Sequence, residues 1–282
     1  MDSDDVDAAW FAAFMEKERD KLLQIRGREE LRRGRAVLIE AARALNAIVI
    51  APGGVAASID DAFSPSETLP PSSLIRTQLR LALHYLQTAD TDPAPNLSSF
   101  VVLRVAVECI ATGHWLMPPN RREAILRALK RMWWDTQNAA EMAAVADGRS
   151  DPSELQALKE RLAAIVAPMK RVDLDSVTGS QRPQLSGAVR EASRSLREEN
   201  PTVLQSAWML CAALSHGNIP VSAGVGMAPA LIQDPSQHLI DLPVFASVWS
   251  AVVDDFSTAV RMFEKYTTTQ HQHQGSKGAT AS

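Results

Sequence analysis

The chain has 282 residues, of which 46% are hydrophobic and 22% are charged, and this is the balance of an ordinary soluble globular protein. Lys and Arg number 29 against 33 Asp and Glu, so the formal net charge of -4 provides no general attraction to phosphate backbones or to anionic lipid. These values exclude disorder of the whole chain, and they restrict any nucleic-acid role to a local basic patch.

The first ten residues, MDSDDVDAAW, are acidic where a secretory signal peptide is basic, and no apolar segment with a small-residue cleavage site follows them. We therefore expect a cytoplasmic protein. The most membrane-like segment, 97–117, contains Arg104, Glu108 and His114, and charges are costly in the middle of a bilayer. This segment is predicted to be the central helix of a soluble core, without membrane association.

Hydrophobic periodicity and chain-breaking residues predict the elements in chain order. Residues 5–26 form a first amphipathic helix. Gly27 and Gly34 loosen the charged stretch that follows, and a second, alanine-rich and leucine-rich helix continues until the sequence PGG stops it. The segment 51–72, which contains several Pro, Ser and Gly residues, is predicted to be a long loop.

Further helices are predicted downstream, and two segments between them lack helical periodicity: a linker at 171–184 and an apolar loop at 218–240. The later helices are predicted at about 75–89, 97–117, 120–147, 152–167, 186–199, 202–216 and 242–266. The sequence contains no series of alternating strands and no internal repeat. The fold class predicted is therefore all-α, a multi-helix bundle of about eight helices with no substantial sheet.

Three regions are predicted from this pattern of elements. They are an N-terminal helical segment at 1–50, a main helical bundle at 72–266 and a polar, disordered tail at 267–282.

The central helix carries a polar stripe on an otherwise apolar surface, because Arg104, Glu108 and Thr112 recur every fourth residue. A helix that is apolar on nearly every side has protein around it. Burial of an unpaired charge costs more free energy than a hydrogen bond contributes, so this stripe must meet partners on another helix or line a water-filled cavity.

Partners on other helices are expected for this stripe. A cation placed N-terminal to an anion is the less favoured orientation of an i, i+4 pair, which weakens a direct pairing of Arg104 with Glu108. His216, at the predicted end of a helix, is expected to meet Glu108. Asp254 or Asp255 is expected to meet Arg104. Acid-base chemistry, ligand binding and a structural ion-pair strut all remain open for this site.

Three short motifs, RVAVE at 104–108, WLMP at 115–118 and SHG at 215–217, resemble a large group of uncharacterised bacterial all-helical proteins. Those proteins share an R-x-x-x-E helix, a W-L-x-P end and a late S-H-G-like helix stop. The resemblance spans about 75–265 and implies a helical fold with a recurrent polar cluster, without implying an activity. The candidate polar cluster consists of Arg104, Glu108, Ser215 and His216.

A more distant similarity is to HEPN-like helical domains, many of which are ribonucleases or components of toxin and defence systems. Their nuclease motif is an Arg, four to six residues, and then a His. The nearest sequence here is Arg80-Leu-Ala-Leu-His84, which has three intervening residues and departs from that motif.

A basic segment next to Trp133 and Trp134 is a second candidate site. It contains Arg121, Arg122, Arg127, Lys130 and Arg131. Cations beside stacking rings bind RNA, whereas a solvated helix face with tryptophans in the core gives the same pattern, and both interpretations remain open.

The sequence predicts no metal site and no cofactor. Cys109 and Cys211 lie in apolar stretches without a C-x-x-C pattern, so they are expected to be buried thiols. The glycines of VSAGVGMA lack a G-K-S/T sequence and a preceding strand. His271 and His273 would give an incomplete ligand set. The motifs G-x-S-x-G and H-E-x-x-H do not occur.

The sequence is compatible with two alternative functions. The first is a non-catalytic helical protein that acts through a protein partner or as a homodimer, using exposed apolar surface of the terminal helices or the 218–240 loop. The alternative is an RNA-directed nuclease or a toxin-like or defence-like module of HEPN-like ancestry. It would use His216 or His84 with Arg104 and the basic helix that begins at 121.

Overall fold

The computed structural model describes residues 3–66, 68–90, 95–147, 153–169, 172–179, 183–216 and 242–269. Within these ranges the chain forms ten α-helices and one 3₁₀ helix, Asp61–Ser66, and no strand. The α-helices are α1 Ser3–Ala47, α2 Val55–Asp60, α3 Pro71–Asp90, α4 Leu97–Trp115, α5 Arg121–Asp147, α6 Ser153–Val166, α7 Asp175–Thr178, α8 Leu185–Leu196, α9 Val203–Ser215 and α10 Leu242–Thr268. The predicted all-α class is confirmed, and the helices of 12 residues or more agree with the expected number of about eight.

α4 occupies the central position that the sequence predicts, because other helices pack around it. It packs against α3, α8, α9 and α10, and its first turn is fixed by a capping box in which Asn96 and Ser99 exchange hydrogen bonds. Within the described ranges, α4 is the helix whose length and composition would suit a membrane span. Its neighbours account for that composition, because a helix surrounded by other helices is apolar on most sides.

The first and last described helices lie side by side and run in the same direction. Gly27 packs beside Pro243 near the start of α10, whereas the N–H of Ala51, just past α1, donates to the carbonyl oxygen of Thr267 at 3.2 Å. The predicted tail at 267–282 therefore has an ordered beginning, since residues 267–269 pair with the loop after α1. The rest of that tail lies outside the described residues.

The break expected at Gly27 and Gly34 does not exist, because α1 is one continuous helix of 45 residues. Both glycines are instead points of close approach to α10. A Cβ at Gly34 would lie 2.4 Å from Cζ3 of the fully buried Trp249, and a Cβ at Gly27 would lie 3.1 Å from Cα of Pro243. A glycine in a helical pattern indicates either a break or a packing contact, and here it is the contact.

Two segments predicted to be irregular contain short helices. The predicted loop 51–72 holds α2 and the 3₁₀ helix, and the linker 171–184 holds the single turn α7, whose Val177 is fully buried. The carboxylate of Asp60 accepts the backbone N–H of Ser72 at 3.0 Å, which caps the start of α3. Such short helices escape a periodicity search because they are too short to repeat. The predicted loop 218–240 lies outside the described residues.

Candidate functional site

The polar stripe of α4 meets the end of α9, and the four residues of the candidate cluster lie together there. Arg104 is the centre of the cluster. Its Nε lies 2.9 Å from Oε1 of Glu108, and its Nη1 lies 3.1 Å from Oγ of Ser215 and 3.3 Å from Nε2 of His216. The helical register of α4 against α9 therefore brings together residues that are more than 100 positions apart.

Glu108 finds its interhelical partner in Trp208 rather than in His216, which is a correction to the expected pairing. The indole Nε1 of Trp208 donates to Oε1 of Glu108 at 3.0 Å, and the ring of Trp208 lies 5.9 Å from Cζ of Arg104. The direct Arg104–Glu108 pair, which was expected to be weak, forms as well. The tryptophan supplies a second donor, and this compensates for the less favoured order of the charges.

Trp208 was not identified from the sequence, although a signal for it exists. It lies seven residues before Ser215, two helical turns, and so it shares the face of α9 that meets α4. An indole is a donor only, and a half-buried tryptophan two turns from a cluster that contains a carboxylate is a natural partner for that carboxylate.

The hydrogen bonds around Arg104 define what the cluster can do chemically. A guanidinium group only donates, so Nε2 of His216 is the acceptor in its contact with Arg104. The hydroxyl of Ser215 donates to the carbonyl oxygen of Ala212 at 2.9 Å, so its proton is directed at a backbone carbonyl and not at a base. This arrangement is typical of a structural cluster of ionic and hydrogen-bond contacts that joins α4 to α9.

The cluster is accessible to solvent, which distinguishes it from a sealed core pair. The side chain of Arg104 is 26% exposed, that of Glu108 is 23% exposed, and His216 lies on the surface. The cost of desolvating the two charges is correspondingly reduced.

Asp254 and Asp255 do not meet Arg104, so that expectation is wrong. Asp255 pairs with Arg197 of the α8 end, with Oδ1 2.5 Å from Nε, and Asp254 lies 3.3 Å from Nη2 of Arg33 on α1. The two carboxylates belong to a separate ionic cluster that joins α1, α8 and α10. Burial raises the pKa of Asp255 to about 6.

The residues of the candidate basic face do not form one face. At about 100° per residue they are distributed around α5. Arg121 donates to the carbonyl oxygen of Ser58 at 2.8 Å, Arg127 pairs with Glu191 at 2.7 Å, and Arg131 pairs with Asp135 at 2.7 Å. Arg122 is exposed and Lys130 is half-buried. The geometry therefore resembles a network of intramolecular contacts more than a phosphate-binding stripe.

The two cysteines and the possible metal ligands are placed as follows. Cys109 and Cys211 are both buried, and burial raises their pKa values to about 11 and about 12 respectively. Across the described ranges, no three His, Cys, Asp or Glu side chains are close enough together to hold a metal ion. His271 and His273 lie outside those ranges.

The distal part of α1 presents an exposed apolar surface. Residues 15–26 lie beyond the point where α10 begins, and each of them except Glu18 and Gln24 is exposed. Large apolar side chains in this segment are 40% to 65% exposed: Met15, Leu22, Leu23 and Ile25. Apolar side chains that are exposed in this way are available for contact with a partner.

Comparison of the chain with known protein families, with curated proteins and with solved structures gave no match. The resemblances inferred from the short motifs therefore stay predictions.

Proposed function

We propose that this protein acts by association with a second copy of itself, and that the distal part of α1 is the contact surface. The observation that carries the proposal is the grouped exposure of Met15, Leu22 and Ile25 on a helical segment without a packing partner among the described residues. Most helical stability in proteins comes from the packing of an apolar face, so an exposed segment of this kind becomes more stable when a partner packs against it.

The helix geometry defines which side of α1 is available. Met15 and Leu22 are seven residues apart, so at about 100° per residue they lie within about 20° of each other. The stripe that packs on α10, which includes Gly27, Leu31 and Leu38, lies roughly on the opposite side of the helix. A second helix can therefore lie against Met15 and Leu22 without a collision with α10.

The charges between these two residues suit a second copy in the antiparallel direction. The sequence from 16 to 21 is EKERDK, and it reads with every sign reversed in the opposite direction. A two-fold axis between residues 18 and 19 places Met15 against Leu22 of the second copy. Along the helix axis it also brings acidic residues level with basic residues of that copy, Glu18 with Arg19 and Glu16 with Lys21. A parallel pair in register would instead bring each of these charges level with its own sign.

The residues at the centre of this axis are available for such a contact. Within one chain, Glu18 is 3.9 Å from Nζ of Lys21, and Arg19 is 4.0 Å from the carboxylate of Asp20. Exposed pairs of this length contribute little free energy, so they can be exchanged for contacts across a dimer interface at small cost.

Charge reversal tests the proposal, with the mass in solution measured by light scattering or sedimentation over a range of protein concentrations. Glu18→Arg puts four Arg side chains around the two-fold axis in place of two Glu and two Arg, and it should weaken dimerisation about tenfold or more. The double variant Glu18→Arg/Arg19→Glu restores opposite charges, and it should recover most of the wild-type affinity.

An apolar variant and its control separate this surface from general surface effects. Met15→Glu should also weaken dimerisation, whereas Met142→Glu, at an exposed methionine of α5, should leave it unchanged. A wild-type protein that is monomeric at every concentration would refute the proposal. So would a double charge variant that is no better than Glu18→Arg.

A second candidate function, an RNA-directed nuclease, is favoured by one observation, the solvent access of the Arg104 cluster. Incubation of the purified protein with total RNA tests it, alongside Arg104→Ala and the more conservative His216→Ala at an exposed position. RNA cleavage by the wild type that both variants lose would support the nuclease. Cleavage that persists in both variants, or its absence in the wild type, would contradict it.

A further inference from the structure

The side of α1 that carries Met15 stays open where α1 runs along the rest of the protein. From Gly27 onward α10 packs on α1, yet positions 26, 29 and 33, which continue the Met15 side, are exposed. Arg33 lies about five helical turns after Met15, so the two residues are on the same side of the helix. The surface proposed for self-association therefore continues past the point where α10 begins.

This continuation of the surface is basic. The segment 26–33 contains four Arg and two Glu residues. The side chain of Arg33 is 56% exposed, and its Nη2 lies 3.3 Å from Oδ2 of Asp254. The other three arginines of the segment form no ion pair with any described residue. A guanidinium group has five N–H donors, so Arg33 can bind a second carboxylate without releasing Asp254.

We infer that the acidic N-terminal part of α1 in one copy binds this basic segment of the second copy. The extended interface rests on the proposed self-association. Asp4, Asp5 and Asp7 supply the acidic charge, and α1 is one continuous helix over Ser3–Ala47. A continuous helix fixes the positions of these residues relative to Met15. The two segments are complementary in charge, and the register of the dimer decides whether they meet.

The two-fold axis between residues 18 and 19 brings the two segments level. Two residues are level along the helices when their numbers add up to the same total as 18 and 19. Position 4 is therefore level with Arg33 of the second copy, and position 5 with Arg32. Position 4 lies about three turns before Met15, so it is on the contact side of α1, as Arg33 is. A parallel pair would instead bring the two acidic segments level with each other.

The contact between Asp4 and Arg33 occurs twice in the dimer, once at each end of the helix pair. The two ends are about 44 Å apart at 1.5 Å per residue. Each exposed ion pair contributes little free energy. A shift of one helix by a turn breaks both pairs, however, so their main effect is on the direction and register of the dimer.

Charge reversal in the full-length protein tests this contact, with the dissociation constant of the dimer measured by sedimentation. Asp4→Arg should weaken dimerisation about fivefold. Asp5→Arg makes the same change of charge about 100° further around the helix, and it should weaken dimerisation by less than about twofold. Equal effects of the two variants, or no effect of Asp4→Arg on a wild-type dimer, would overturn the inference but leave self-association standing. A monomeric wild type would overturn both.

Cross-linking measures the register directly, because Cys109 and Cys211 are buried and introduced thiols are the accessible ones. Packed helix axes are about 8–10 Å apart, which a short bismaleimide spans. A mixture of the Asp4→Cys and Arg33→Cys proteins, incubated to exchange subunits, should give a cross-linked dimer. Each protein alone should give none, since the two copies of either position are about 44 Å apart. A mixture without a cross-link, or a dimer formed by Asp4→Cys alone as in a parallel pair, would overturn the inference.

Discussion

Asp255 on α10 is paired with Arg197 at the end of α8, with 2.5 Å between Oδ1 and Nε, while Oδ2 of the same carboxylate is buried without a hydrogen-bond partner among the described residues. The ion pair offsets the cost of burying Oδ1, whereas nothing among the described residues offsets the cost of burying Oδ2. This imbalance accounts for the pKa of Asp255, which burial raises from 3.8 to about 6 although Arg197 opposes the shift.

The ionisation of Asp255 should make stability depend on pH. Because its pKa is higher in the folded state, the folded protein binds this proton more tightly, and the free energy of unfolding should fall as the pH rises from about 4 to about 6. One pKa unit corresponds to about 1.4 kcal/mol, so the loss is on the order of 2–3 kcal/mol. Asp255→Asn should remove this component, as measured by urea denaturation at several pH values.

The informative quantity for Asp255 is the difference in free energy of unfolding between the wild type and the variant. Asp254→Asn, which changes the neighbouring and partly exposed carboxylate, controls for the change in local charge. A wild-type minus Asp255→Asn difference that does not change between pH 4 and pH 7 would show that the buried carboxylate does not titrate as expected.

Replacing Gly34 by alanine should destabilise the protein. The new Cβ would lie 2.4 Å from Cζ3 of Trp249, which is fully buried and also donates to the carbonyl oxygen of Leu86 at 3.1 Å. Overpacking of this kind typically costs about 1–3 kcal/mol, which exceeds the gain of about 1 kcal/mol in helix propensity. Thermal or urea denaturation measures the result.

Gly187→Ala is the matched control for that substitution. A Cβ at Gly187 would meet no atom within 4 Å, so only the gain in helix propensity applies there. The control should be neutral or more stable by up to about 1 kcal/mol. Equal stability changes at the two glycines would mean that α1 and α10 are not in close contact at Gly34.

Glu108 and Trp208 should be energetically coupled. Their hydrogen bond of 3.0 Å is charge-assisted, but both side chains are partly exposed, so we expect a coupling free energy of about 1 kcal/mol. The double-mutant cycle uses Trp208→Phe and Glu108→Gln, measured by denaturation. A parallel cycle with Trp115→Phe, whose indole is not bonded to Glu108, should give a coupling near zero, and equal values in the two cycles would count against the contact.

Both cysteines should resist alkylation in the folded protein. Cys211 is fully buried and Cys109 nearly so, and their raised pKa values leave almost no thiolate at pH 8. Mass spectrometry after iodoacetamide treatment should show no adduct at pH 8 without denaturant and two adducts in concentrated urea. Rapid labelling of the native protein would indicate that α4 or α9 opens readily.

The sequence was informative about α4 and α9 because each carries a strong local signal. α4 is apolar around its circumference with a polar residue at every fourth position, and a His and a Gly directly follow the last residue of α9 in the sequence. These patterns predicted the helices and indicated which residues required partners. Local periodicity decides such features because it reports which side of each helix is buried.

The identity of the partners could not be predicted in the same way. Asp255 pairs with Arg197 and Glu108 with Trp208 because of how far each helix is shifted along its neighbour, and that register is a property of the whole bundle. Gly34 illustrates the same limit, since only the position of Trp249 distinguishes a packing contact from a helix break.

The parallel alignment of α1 with α10 has a consequence for biosynthesis. Arg33 and Asp254 are in contact although 221 positions separate them. Nearly the whole chain must therefore leave the ribosome before α10 can pack on the apolar side of α1. Until then, Leu31, Leu38 and Leu45 are available to chaperones or to neighbouring nascent chains. Premature termination before α10 would leave that flank permanently uncovered.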